Sequence, residues 1–549
     1  MGRLSAVLIL RLLLCLSLCC LPLAAQDDAA PQQQQTYPVR GIVINKFSGQ
    51  PIARALVTMQ GQSSDAVFTD SEGHFEFPHV PAGSCLLTVM RPGFTGSASG
   101  SQQETQHVQA GPNAEDATLA LLPTGAISGQ ITLSTSDSAE NIQVHLLKKD
   151  IQNGRSFWQQ GQSRMTNSDG GFFFGNLEPG AYRVYTSGSV DPDPEPMGDH
   201  PHWGYPPEYF PGGADSSGDA ALTVRPGQHL QADMLLTHEP FYSVTVSVSN
   251  SGRGANVQIY DLAGHPLPYP SRYNQRDRDV HLNLPKGIYR LEGESFGLTP
   301  QFGNAQITVQ NGPVSAGLVL LPLNSIPVTI HREFTNQNHT TVTFADGNPP
   351  EWFSAGVNLT LQRISGNVAN FAGGNLRHAP NSTDSSAFIL ENVRPGSYWV
   401  QTNSFQGYVA SITSGGVDLT QQPLVVGPGG SSSPIDITLR DDGATLSIAL
   451  QQPAGTAGNA EPTAYVSLIP ESSVAAQVPQ NMRITQATQI SNLPPGSYRV
   501  IAFDAPQQLD LSSQDAVRAL VGKGQTVTLA AGASAQITLD ITAANGGSQ

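Results

Sequence analysis

Asn492–Val500 reads NLPPGSYRV, and the chain repeats this phrase. Asn176–Val184 is NLEPGAYRV, Asn392–Val400 is NVRPGSYWV, and Asn283–Leu291 is NLPKGIYRL. A worn copy, HVPAGSCLL, runs from His79 to Leu87. The glycines of the five copies are Gly83, Gly180, Gly287, Gly396 and Gly496, separated by 97, 107, 109 and 100 residues. That period matches one small β-sandwich and is too long for a propeller blade or a solenoid repeat.

The residues around the phrase explain what it does. An alternating run precedes it, with Phe75 and Phe77, Phe172 and Phe174, or Phe388 and Leu390 on one face. Alternation marks a strand with one buried side. Pro-x or Pro-Gly then bends the chain, and the glycine is expected at the positive-φ position of a type II turn. A second alternating strand follows, with Tyr498 and Val500 on one side and Arg499 on the other. The series resembles the tyrosine corner of Greek-key sandwiches, in which a buried phenol bonds a nearby backbone group. Cys85 takes the tyrosine slot in the first copy and reads as a small buried hydrophobe.

Each unit closes on a final alternating strand: AEDATLALLP (Ala114–Pro123), LQADMLL (Leu230–Leu236), VSAGLVLLP (Val314–Pro322), SPIDITL (Ser433–Leu439) and SAQITLDI (Ser534–Ile541). The expected division is therefore a leader over 1–25, a polar linker over 26–36, and sandwiches over 37–123, 124–239, 240–324, 325–442 and 443–543. The second carries an acidic, aromatic loop at 190–213, and Gln514–Val521 is a short helical stretch. The fold class is all-β: a tandem array of about five Ig-like β-sandwiches behind a signal peptide.

Composition agrees. A length of 549 residues suggests about three to five domains. Only 13% of residues are charged, while Gly and Pro number 55 and 41, which favours short strands and tight turns. The net charge of -16 argues against a nucleic-acid partner. Arg3 and Arg11, the apolar run Leu12–Leu21, and Leu23 and Ala25 before Gln26 make a secretion leader, too short to span a bilayer. Three of the four cysteines lie in that leader, so Cys85 has no internal disulfide partner in the mature chain. No later segment is apolar for long enough to cross a membrane.

In the first unit, GIVINKFSGQPIARALVTMQG, then VFTDSEGHFEFPHVPAGSCLLTV, then RPGF resembles the carboxypeptidase regulatory-like domain. The carrying marks are Gly41, Gly49 with Pro51, Ala55 with Val57, Thr69-Asp70 with Gly73, Phe75, Phe77 and Pro81-x-Gly83. The second unit keeps GAISGQITL, TNSDGGFFFGNLEPGAYRV and YFPG, whereas the later three match only through the corner and the closing strand. The resemblance implies a transthyretin-like sandwich, grouped with carbohydrate-binding modules, in a non-catalytic accessory role.

Catalytic motifs are scarce. None of the 13 histidines is followed three residues later by Glu, so the zinc pair of a metallocarboxypeptidase is missing. Gly293-Glu294-Ser295-Phe296-Gly297 matches G-x-S-x-G, but Leu298, Thr299 and Pro300 follow where a nucleophile elbow needs a helix. Asp191, Asp193, Glu195, Asp199, His200 and His202 cluster in the loop, yet Pro196 stands where a calcium loop needs glycine, so a solvated loop is expected and no metal or other cofactor.

Sugar binding needs exposed aromatic faces. Trp399 occupies the outward position held by Arg183, Arg290 and Arg499 in sister units, which makes it either a ligand platform or a packing residue against a neighbouring domain. Trp203 and Tyr205 sit in the acidic loop, while Trp158 and Trp352 lie in turn-rich segments and are weaker candidates. The expected function is a secreted, non-catalytic binding or scaffold protein of the cell envelope, with a polysaccharide or an envelope protein as partner. The alternatives are a structural spacer or adhesion protein without a small ligand, and an enzyme with a site between domains.

Overall fold

The structure, a computed structural model, describes residues 35–61, 64–96, 103–152, 154–191, 201–213, 221–262, 264, 266–296, 299–323, 325–335, 354–364, 370–372, 375–427, 431–451, 463–471, 480–485, 487–504, 506–507, 509–511, 518, 520 and 522–542. The leader, Trp352 and most of Gln514–Val521 lie outside the described residues. Every named element is a strand, and the strands form ten sheets that combine as a tandem series of sandwiches. The chain divides into two compact units, Met1–Arg91 with Gln102–Leu121, and Pro92–Ser101 with Leu122–Gln549.

In the first unit one sheet places Thr36–Asn45 between His74–Pro81 and Ala117–Pro123. The facing sheet runs Ser64–Phe68, Leu56–Gln60, Gly83–Met90, Gln103–Ala110. The expected alternation is present: Val43, Val57, Phe77, Leu87 and Leu121 are fully buried. Gly41 is required by close approach, since a Cβ there would stand 2.3 Å from the Ala117 carbonyl oxygen and 2.6 Å from the Phe75 ring. Thr69, Asp70 and Gly73 are turn chemistry. The Thr69 hydroxyl donates to the Ile52 carbonyl (2.7 Å), and Asp70 Oδ1 accepts the Glu72 and His74 N–H groups (2.9 and 2.8 Å). The second sandwich repeats this turn, where Asn167 Oδ1 accepts from Asp169 and Gly171 (3.0 and 2.7 Å).

The second unit holds four more sandwiches, each with its own core. Ile127, Phe174, Val184 and Leu236 fill the second; Val246, Leu284, Leu291 and Leu318 the third. Phe388, Tyr398, Ile437 and Leu439 fill the fourth, and Leu446, Val466, Tyr498 and Val500 the fifth. The closing strands fall where the sequence put them, and each pairs in parallel with the opening strand of its own sandwich. Gly41–Asn45 takes Ala117–Leu121, Val244–Ser249 takes Val314–Val319, Val328–Glu333 takes Ile435–Arg440, and Thr445–Leu450 takes Ser534–Leu539. In the second sandwich the closing edge is split into His229–Gln231 and Met234–Leu236, both on Gly125–Leu133.

The repeated phrase builds the tyrosine corner. The hydroxyls of Tyr182, Tyr289, Tyr398 and Tyr498 each donate to the carbonyl four residues earlier, on Glu178 (2.7 Å), Pro285 (3.0 Å), Arg394 (2.7 Å) and Pro494 (2.5 Å). Burial pushes the Tyr498 phenol up to about 12, which keeps it a donor. Cys85, 5% exposed, contacts the Val108 carbonyl through sulfur at 3.8 Å.

The type II turn assignment needs correction. In three copies the left-handed residue of the phrase is the asparagine that opens it, with φ of 56° at Asn176, 59° at Asn392 and 60° at Asn492. Asparagine tolerates that region because its short amide bonds locally. The glycines are more extended, from 143° at Gly83 to 159° at Gly180, and they begin the next strand. At Gly287, whose φ is not positive, the requirement is clearance: the Tyr289 ring folds back over it, and a Cβ would lie 2.8 Å from the phenol oxygen.

Candidate functional site

The loop after the second sandwich's corner strand touches two sheets. Ser189–Val190 pairs with His202–Tyr205, which lies antiparallel on the first residues of Glu239–Ser249 and so extends the third sandwich's sheet. The loop then returns. The Thr186 N–H donates to the Glu208 carbonyl (3.0 Å), and Phe210 N–H donates to Val184 (2.9 Å). Tyr209 stacks on Tyr185, with ring centroids 5.0 Å apart, and Tyr185 stacks on His145 at 4.8 Å. Tyr209 thus pins the loop to the second sandwich. His145 is 8% exposed, its ring nitrogens lie 2.8 Å from Ser163 and 2.7 Å from Ser187, and burial lowers its pKa.

Trp203 and Tyr205 point to the same side of their short strand, and both lie against His238. The Trp203 indole stacks on that imidazole at 5.1 Å and 27°, while 48% of the residue remains exposed. Tyr205 is only 4% exposed; its hydroxyl shares a 2.8 Å hydrogen bond with Thr135. His238 Nε2 is 2.6 Å from Asp191 Oδ2. The result is an outward indole face whose back is fixed by a histidine, itself fixed by a carboxylate. Tyr205 supports this arrangement from below and presents no face of its own. His238 was not evident from sequence, because it sits in an ordinary linker between two strands. Asp193, Glu195, Asp199 and His200 lie outside the described residues.

Trp399 is placed elsewhere, on the fourth sandwich's corner strand Gly396–Ser404. The Arg155 guanidinium of the second sandwich lies 4.1 Å from its ring centroid, and burial lowers the Arg155 pKa. This outward position is used in three sister units. Arg183 lies over Trp158 at 4.3 Å, Arg290 over Tyr260 at 5.3 Å, and Arg499 is 2.7 Å from Glu471. Cation–aromatic contacts of this kind contribute about 0.5–1 kcal/mol when exposed and more when dry. Trp158 is 5% exposed and lies in a strand, Arg155–Met165, not in a turn.

The G-x-S-x-G match resolves into structure. Ser295 ends the strand Gly287–Ser295, its oxygen accepts the Gln301 N–H at 3.1 Å, and the next element is the strand Gln301–Val309 rather than a helix. Its neighbour Glu294 pairs with Arg394 of the fourth sandwich. Two residues earlier, Glu292 takes both prongs of Arg363, at 2.8 and 2.9 Å. Burial works against the Arg363 charge, but the hydrogen bonds and charge of Glu292 outweigh it and its pKa is raised. No helix among the described residues is long and apolar enough to cross a membrane.

Residues 38–121 match the family model of the carboxypeptidase regulatory-like domain. A search of curated proteins found no match. Among solved structures, the chain is similar to the minor pilin GBS52 of Streptococcus agalactiae, at 12% identity over 37% of this chain and 97% of that one, with a TM-score of 0.20. It is also similar to the shaft pilin SpaA of Lactobacillus rhamnosus GG, at 10% identity over 37% of this chain and 98% of that one, with a TM-score of 0.18. The TIE protein of Bacillus anthracis matches at 13% identity over 52% of this chain, with a TM-score of 0.16, and this chain spans 50% of its length. At such scores these likenesses carry no functional argument.

Proposed function

We propose that this chain is an exported, non-catalytic binding and scaffold protein of the cell envelope that contacts polysaccharide. On this reading residues 1–25 are the leader, and the sandwiches span 37–123, 124–239, 240–324, 325–442 and 443–543. The observation that carries it is Trp203: an indole 48% exposed, stacked on His238, on a strand that extends the third sandwich's sheet. A sugar ring stacks its apolar face on such a surface, and a pre-fixed indole loses little freedom on binding. The test is a pull-down of the full chain on insoluble polysaccharides and on envelope fractions, with Trp203→Ala alongside. Retention by a polysaccharide that Trp203→Ala loses supports the reading; retention unchanged by the substitution removes the platform.

The second reading is a structural spacer. It is favoured by Trp399, whose face is covered by Arg155, and by the dry Arg363–Glu292 pair joining consecutive sandwiches. Under that reading no polysaccharide retains the chain, and envelope proteins do.

A further inference from the structure

The fourth and fifth sandwiches enclose a cleft of about 600 Å³ at their junction. It is lined by Val400–Ser404 of the corner strand Gly396–Ser404, by Phe405 and Gly407 before Tyr408, and, from the fifth sandwich, by Leu468, Pro470, Ser491–Pro494 and Tyr498. The volume is inside the range of about 300–1,000 Å³ typical of small-molecule sites.

Its lining is chemically selective. Among the described residues, none of the twenty that line it is Asp, Glu, Lys, Arg or His, although 13% of the chain is charged. The polar groups are neutral amides and hydroxyls. Among the described residues, the side chains of Thr402, Asn403, Gln480, Ser491 and Asn492 make no hydrogen bond within the chain, while the two tyrosines of the lining are already committed, Tyr408 to Asp442 and Tyr498 to Pro494. Phe405, 42% exposed, supplies an apolar surface beside them.

A charged ligand would find no counter-charge here. A wholly apolar ligand would strip water from these amides and leave them unpaired. The complement of amides that both donate and accept, next to a benzene face, is a neutral ligand with many hydroxyls and an apolar ring side. We infer that this cleft binds a neutral oligosaccharide. The inference rests on the polysaccharide reading above but names a second, separate site with its own ligand class.

The test is calorimetric titration of the full chain with maltohexaose, cellohexaose, chitohexaose and mannohexaose, and with polygalacturonate as the anionic control. Phe405→Ala, Gln480→Ala and Ser491→Trp probe the cleft; Trp203→Ala probes the other surface. Thermal melting checks that each variant is folded. The expected result is binding of at least one neutral probe, weakened roughly tenfold or more in Phe405→Ala and Ser491→Trp and retained in Trp203→Ala. Binding that survives all three cleft variants, or is lost only in Trp203→Ala, overturns the cleft while leaving the polysaccharide reading intact. Binding of polygalacturonate alone overturns the neutral-ligand assignment. No binding by the unsubstituted chain removes both.

Discussion

Arg363 and Glu292 form a two-pronged ion pair across the third and fourth sandwiches, with side chains only 8% and 6% exposed. Removing one partner strands a buried charge, which costs about 3–5 kcal/mol. Glu292→Ala or Arg363→Ala is therefore expected to lower the urea midpoint of these two sandwiches. The double variant Glu292→Leu with Arg363→Met should recover part of the loss, because neither charge of the pair then remains dry, although Arg290 loses its neighbour Glu292 at 3.5 Å. Hydrogen exchange of peptides from the two strands checks both expectations; a double variant no better than the singles would contradict them.

The corner bond is separable from the ring that makes it. Tyr498→Phe keeps the packing and deletes only the donor to the Pro494 carbonyl. The expected loss is about 0.5–1.5 kcal/mol, confined to the fifth sandwich. Local exchange rates in Gly496–Phe503 measure it, and an unchanged rate would show that the bond contributes nothing there.

Gly287→Ala places a methyl where the Tyr289 phenol passes, 2.8 Å away. Overpacking of this kind costs about 1–3 kcal/mol. Gly312→Ala in the same sandwich is the control, since nothing lies within 4 Å of its Cβ position. A melting shift in the first variant and none in the second is expected; equal shifts would refute the clearance argument.

His145 makes the second sandwich sensitive to acid. Burial lowers its pKa, whereas the unfolded chain takes up the proton at about 6.5. The unfolded state therefore binds more protons in this window, and stability falls as pH drops below about 6.5 toward the folded value. The faces presented to the ring are Ser163, Ser187, Gln160 and Tyr185, none of them a carboxylate that would reverse the sign. Exchange protection of Gln143–Gln152 should weaken between pH 7.5 and pH 5.5 by roughly the span expected of one titrating group. His145→Gln should flatten that dependence.

What the sequence revealed and what it hid follow from range. The corner was legible because Pro, Gly and Tyr act within a few residues, and the closing strands because alternation is local. The asparagine at positive φ was missed since the glycine four residues later is the commoner choice. Trp399 showed its outward direction but not its cover, because Arg155 belongs to another sandwich. Glu292 and Arg363, 71 residues apart, carry no shared motif. Trp203 was visible as an aromatic in a polar loop; the histidine behind it was not.

The parallel pairing of opening and closing strands also fixes how the chain carries load. Tension on a sandwich enters at the start of one of these strands and leaves at the end of its neighbour. Two parallel strands pulled this way slide past each other, so their hydrogen bonds resist together instead of opening one at a time. The third, fourth and fifth sandwiches each offer an unbroken run of six paired positions to this shear. In the second the run is broken into two sets of three. Of these four sandwiches in a stretched chain, the second is the one built to yield first, and the loop that presents Trp203 leaves from its corner strand to pair with the third.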